Sequence, residues 1–150
     1  MGSRCAYFII CMLFISCKCP SKLQGQQGIK GKVIKVSGNQ MPSPDIPNKP
    51  LKGFKTTLYI YELTNLSQVI KQGQSAFYTA VNSKLVTRVE TQDDGTFTVL
   101  LPEGKYSLFV KKGELFYANI YDGEANIAPV TVQKGKMTIA DTKVDYDAVY

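Results

Sequence analysis

The chain has 150 residues, 44% of them hydrophobic and 20% charged, which is the length and balance of one globular domain and excludes bulk disorder. It contains no histidine, and its four cysteines (Cys5, Cys11, Cys17, Cys19) all lie near the N-terminus, so histidine proton transfer, His/Cys metal centres and disulfides are excluded from the remainder. The formal charge of +6 is scattered over lysines, with Arg88 the single arginine after Arg4, unlike the clustered arginine of a nucleic-acid reader, so no nucleic-acid partner is expected.

Residues 1–4 carry one positive charge, and Ala6 to Ile15 is an unbroken apolar run. Ten residues suit the core of a signal peptide and are too few to span a bilayer, which needs about 20. Lys18 and Pro20 spoil the nearby sites for ordinary cleavage. Phe14 to Cys17, F-I-S-C, resembles a bacterial lipobox, with Ser16 before a cysteine that would become the lipidated N-terminus. The expected organisation is a lipoprotein-type signal over 1–16, lipidation at Cys17, a flexible Ser/Gln/Gly/Lys tether over 17–28, and one domain over 29–150. The membrane is then a partner through the lipid, in a bacterial envelope. The alternative is a secreted or periplasmic soluble form.

The domain opens with Ile29 to Val36, where lysines alternate with β-branched residues as in a strand. Pro42, Pro44, Pro47 and Pro50 then forbid a helix or a central strand, giving a long loop over 38–50 and a candidate contact surface. Thr57 to Leu63 is the clearest strand, with Leu58 and Ile60 opposite Tyr59 and Tyr61. Thr64 to Ser75 allows one capped helical turn. Phe77 to Val81 and Lys84 to Thr91 read as strands, the second with Leu85 and Val89 against Arg88 and Glu90. Asp93-Asp94-Gly95 predicts a hairpin, after which Phe97, Val99 and Leu101 share a face. Pro102-Glu103-Gly104 turns the chain into Lys105 to Lys111, with Tyr106, Leu108 and Val110 on the core side. Leu115 to Ile120 is extended, Asp122-Gly123-Glu124 turns, and Val130 to Val132 and Met137 to Tyr146 close the chain around Lys134-Gly135-Lys136. About seven short strands at regular spacing, without a long amphipathic helix, predict an all-β, Greek-key sandwich.

Thr91 to Val110 resembles the carboxypeptidase regulatory-like domain, a transthyretin-type sandwich. Asp94, Gly95, Phe97, Leu101, Pro102, Gly104 and Tyr106 match that family's pattern, and Gly31 to Val33 matches its opening strand. Gly95 and Gly104 suit positive-φ turns, and the Tyr106 hydroxyl can close a tyrosine corner. Gly38 to Pro44, Leu58 to Asn65 and Leu115 to Asp122 further resemble small standalone members of Bacteroidota type. The resemblance implies a non-catalytic module. Hydroxyisourate hydrolases share the transthyretin fold, but their chemistry uses histidines that this chain lacks.

No residue set points to catalysis. Ser83-Lys84 are adjacent and so face opposite ways on a strand, and Ser107 with Lys105 reads as the wet side of one. Asp93-Asp94 lacks the further ligands a calcium loop needs. Asp122 and Glu124, with Asn119 and Asn126, form a better cluster, read as a polar surface loop. No metal and no cofactor are expected. Phe116, Tyr117 and Tyr121, with Asp122 and Glu124, are the candidate ligand-binding residues, because exposed aromatic rings stack on sugars or anchor proteins. The expected function is a non-catalytic envelope scaffold or protein-interaction domain with an envelope protein as partner. The alternative is a carbohydrate-binding module; an enzyme is a distant third.

Overall fold

The structure, a computed structural model, describes residues 26–41 and 51–149. Its strands are β1 (Gly28–Asn39), β2 (Lys52–Gly53), β3 (Thr57–Glu62), β4 (Val69–Lys71), β5 (Phe77–Val81), β6 (Leu85–Glu90), β7 (Thr96–Leu100), β8 (Gly104–Lys112), β9 (Leu115–Tyr117), β10 (Pro129–Val132), β11 (Met137–Ile139) and β12 (Thr142–Val149). They form an all-β sandwich of a five-stranded and a seven-stranded sheet. Twelve strands stand against the roughly seven expected: Met137 to Tyr146, read as one strand, is split at Ala140-Asp141, and β2 and β4 form in segments read as a loop and as a helical turn.

The smaller sheet is built on β1. β11 pairs with it in parallel from Gly28 to Lys30 and β12 from Val33 to Asn39. Only two residues separate β11 from β12, too few to cross β1, so both lie on one side of it. The other side holds β7 and β2, both antiparallel. The larger sheet runs β4-β5-β9-β8-β3-β6, with β10 beside the first residues of β8. Between the sheets lie Ile29, Val33, Leu58, Ile60, Phe97, Tyr106, Leu108, Val110, Tyr117 and Val144, all buried. The inward positions expected for Phe97, Tyr106, Leu108 and Val110 are thus observed.

Several local expectations change in tertiary context. The Asp93-Asp94-Gly95 turn is present, with the Asp94 carboxylate accepting from Thr96 N–H at 3.0 Å and Thr96 Oγ1 at 2.7 Å. It does not join a hairpin: β6 belongs to the larger sheet and β7 to the smaller, so the turn carries the chain across the sandwich. Gly95 has φ +83°, and a Cβ there would lie 2.3 Å from the Val33 carbonyl oxygen, so the turn needs glycine. Gly104 has no such φ. Leu85 is exposed, and Val86 packs on the core in its place, because the β3–β6 register shifts between Ile60 and Tyr61. Asn65 caps a 3-10 turn over Leu66–Gln68 in a capping box with Gln68. The Tyr106 hydroxyl donates to the Pro102 carbonyl at 2.9 Å. Gln27, expected in a flexible tether, is bonded to the domain: it donates to the Leu101 carbonyl at 3.0 Å and accepts from Gly135 N–H at 2.8 Å. Cys17 and the prolines at 42, 44, 47 and 50 lie outside the described residues.

The largest departure concerns Ser107. Alternation with Tyr106 and Leu108 puts it on a solvated face by period alone, yet it is fully buried and its hydroxyl accepts from Thr64 N–H at 2.9 Å. The outer face of the larger sheet is itself covered by a second cluster of Tyr61, Tyr78, Phe109, Ala118 and Ile127. Phe109 packs edge-on against Tyr61 and Tyr78, at 5.6 and 5.7 Å between ring centroids. Burying one such ring contributes about 1.5–3 kcal/mol, so β8 is held from both sides.

Candidate functional site

β9 decides the fate of the two rings it carries. Adjacent strand residues point to opposite faces, so Tyr117 faces the inter-sheet core while Phe116 faces outward. Tyr117 is 2% exposed, with its ring edge-on to Phe77 at 5.2 Å and to Tyr146 at 5.1 Å. Its hydroxyl donates to the Asp145 carboxylate, which also accepts from Asn119 Nδ2 at 2.9 Å. Phe116 packs edge-on to Tyr59 at 5.3 Å and is capped by the Lys111 ammonium 4.0 Å from its ring centroid. Tyr121 is exposed at the ring but its hydroxyl lies 2.5 Å from that of Tyr78. Burial, helped by that bond, pushes the Tyr78 phenol well above its ordinary range.

Phe116, Tyr117 and Tyr121 therefore do not share one exposed face. One ring is inside, one is covered by a lysine and the third is tied through its hydroxyl to Tyr78, because two of them needed opposite faces of one strand. Asp122 and Glu124 are likewise occupied with turn geometry. The Asp122 carboxylate accepts from Asn126 Nδ2 at 2.8 Å and from the N–H groups of Asn126 and Glu124, each at 2.9 Å. The Asn126 side-chain bond, followed by its backbone N–H, holds the Asp122 carboxyl below its usual range. The Glu124 carboxylate accepts a 3.4 Å contact from Asn126 Nδ2, and its backbone carbonyl accepts from Asn65 Nδ2 at 2.8 Å. Among the described residues, no group of three or more His, Cys, Asp or Glu side chains is placed to hold a metal ion. The serines weighed for catalysis are also engaged structurally. Ser83 shares a 2.6 Å hydroxyl contact with Thr64 while Lys84 pairs with Glu62 at 3.6 Å, and Ser107 is bonded as described above.

The structure instead brings together a pocket of about 410 Å³ where the two sheets part along one side. Leu108 and Tyr117 form its floor, Ala118 to Ile120 and Ala128 to Thr131 one wall, and Thr138 to Lys143 the other. Both ends are tied: Thr138 Oγ1 donates to the Thr131 carbonyl at 2.8 Å, and Asn119 and Tyr117 reach Asp145 at the far end. The wall over 138–143 is the broken edge of the smaller sheet. Its break is seated on β1 by Ala140 N–H to the Lys30 carbonyl, 2.9 Å, and by Lys32 N–H to Asp141 Oδ1, 2.9 Å. Gly31 makes this possible, since a Cβ there would lie 2.4 Å from the Ala140 carbonyl oxygen. Across the pocket, Ala128 has φ +41° and precedes Pro129, a conformation disfavoured twice over for an alanine. Backbone strain of this kind is concentrated at functional sites.

A volume of about 410 Å³ falls in the range of binding pockets. Its walls are mainly apolar, with threonine and asparagine at the margins. Ile120, 51% exposed, and Ile139, 71% exposed, flank its mouth. Among the described residues, β11 and β12 pair with no strand but β1, so the lip also presents an unpaired sheet edge. Sequence reading missed Ala128, Ile139, Ala140 and Thr142. Nothing in their identities marks them, since the pocket arises from the approach of two sheet edges distant in sequence.

No known protein family, curated protein or solved structure matches the chain. Among the described residues, no helix is long and apolar enough to cross a membrane.

Proposed function

We propose that this chain is a non-catalytic protein-interaction domain that binds an extended segment of another chain along the 139–143 edge. The observation that carries this reading is the pocket lying beside an unpaired strand edge. A segment laid on that edge would continue the smaller sheet through main-chain hydrogen bonds, and its inward side chains would enter the pocket. That division of labour is how strand addition combines affinity with selectivity. The exposed Ile120 and Ile139 at the mouth supply apolar area that gains from being covered.

Membership of the carboxypeptidase regulatory-like group and lipid anchoring through Cys17 in the bacterial envelope complete the proposal. The first rests on the Thr91 to Val110 pattern and the second on Ser16-Cys17 after a short apolar run. A photoreactive residue placed at Ile139, compared with one at Ile70 on the far edge of the larger sheet, tests the binding surface in intact cells. Crosslinking from 139 and not from 70, with slowed hydrogen exchange over 139–143, supports it. Crosslinking from 70 alone, or unchanged exchange at the edge in the complex, overturns it.

A further inference from the structure

The edge that carries the proposed function is self-complementary. Residues 140–144 read Ala-Asp-Thr-Lys-Val. Laid antiparallel on a second copy about Thr142, Asp141 stands opposite Lys143, Lys143 opposite Asp141, and Thr142 opposite itself. Ala140 then faces Val144 at both ends. Directly opposed residues on antiparallel strands have Cβ atoms about 4.5–5.5 Å apart, close enough for each ion pair and for a Thr–Thr contact.

The surroundings agree with this register. Asp141 and Lys143 are exposed and, among the described residues, neither takes part in an ion pair. Asp141 gives one oxygen to Lys32 N–H, and the other is not used by any hydrogen bond among those residues. Ala140 and Val144 are buried and Thr142 is half-buried, while Asp141 and Lys143 are exposed. The paired stretch is bounded at one end by Thr138, tied to Thr131, and at the other by Asp145, tied to Tyr117 and Asn119. Natural sheets discourage self-association at edges with charged side chains, prolines or bulges, and this edge carries two charges beside the Ala140-Asp141 break. Here the two charges cancel on pairing rather than repel. A two-fold axis through Thr142 also closes the assembly at two copies.

We infer that the partner at this edge is a second copy of the chain, so that the two smaller sheets join into one across an antiparallel 140–144 seam. This rests on the strand-addition reading and deepens it. Sedimentation of the purified chain beginning at Cys17 should show a monomer–dimer equilibrium. Lys143→Asp places like charges opposite each other at both positions, and dimer affinity should fall on the order of tenfold or more. Asp141→Lys should do the same. Mixing the two variants restores Asp–Lys opposition at both positions, so a heterodimer should form from two weakly associating proteins. Circular dichroism confirms that each variant is folded, and Lys143→Asp stands alone if Asp141→Lys is not, because Lys143 makes no side-chain bond among the described residues. A wild-type protein that stays monomeric to about 100 times the concentration of ordinary micromolar dimers overturns the second copy as partner. If the Ile139 crosslink to a different chain persists in that case, strand addition survives without it. A dimer indifferent to both charge reversals also overturns the inference, since association then uses another surface.

Discussion

Gly31→Ala is the sharpest perturbation of the pocket wall. The added Cβ would sit 2.4 Å from the Ala140 carbonyl oxygen, 2.7 Å from its carbon and 3.2 Å from Asp141 N, all of them backbone atoms that no rotamer change can move aside. Overpacking of this kind costs about 1–3 kcal/mol. Displacing the break also stretches the Ala140–Lys30 and Asp141–Lys32 bonds, each contributing about 0.5–1.5 kcal/mol. The expected loss is therefore about 2–6 kcal/mol. At about 2–4 °C for each kcal/mol in a chain of this size, that is a fall of roughly 10 °C in Tm. Urea unfolding followed by far-ultraviolet circular dichroism gives the free energy directly. Gly73→Ala is the control: its φ is +58° but a Cβ there meets nothing within 4 Å, so it carries only the left-handed penalty of about 1–2 kcal/mol. A Gly31→Ala loss no larger than that of Gly73→Ala would refute the close seating of the break on β1, and with it the origin of the pocket wall.

Phe97→Ala, at a ring 5% exposed in the inter-sheet core, should cost about 3–5 kcal/mol in the same assay; a loss below about 1 kcal/mol would show the ring is not packed. The Asp122 carboxyl titrates below its ordinary value near 3.8, so its contribution to stability is complete above that value and is lost as pH falls through the lower, folded one. Asp122→Asn should therefore be less stable than wild type near neutrality and converge with it as pH falls through the lowered, folded-state value; a gap that does not narrow on acidification would contradict the sign. Cys17→Ala should abolish incorporation of labelled fatty acid in a bacterial host, and equal labelling of both proteins would remove the lipid-anchor proposal.

The sequence by itself determined the class of the fold and most of its strand positions. Period-two alternation at Leu58/Ile60 and Tyr106/Leu108/Val110 reflects a local geometry in which neighbours point to opposite faces, and it marks the inward side wherever that side is buried. Turn chemistry did the same at Gly95, Asp122 and Asn65, because those conformations are set within four residues. Alternation could not say whether the opposite face was wet. Ser107 and Phe109 are buried because a second aromatic cluster happens to cover the outside of the larger sheet. A turn motif likewise does not specify its flanking strands' partners, which is why Asp93-Asp94-Gly95 joins two sheets and not one hairpin. The candidate site belongs wholly to the tertiary level. Ala128 and Ala140 flank strands of different sheets, and an alanine beside a pocket looks like any other alanine until the sheets are placed. The aromatic candidates are parted for the same reason: Phe116 and Tyr117 are neighbours in sequence, and a strand sends neighbours to opposite sides, which puts Tyr117 on the pocket floor.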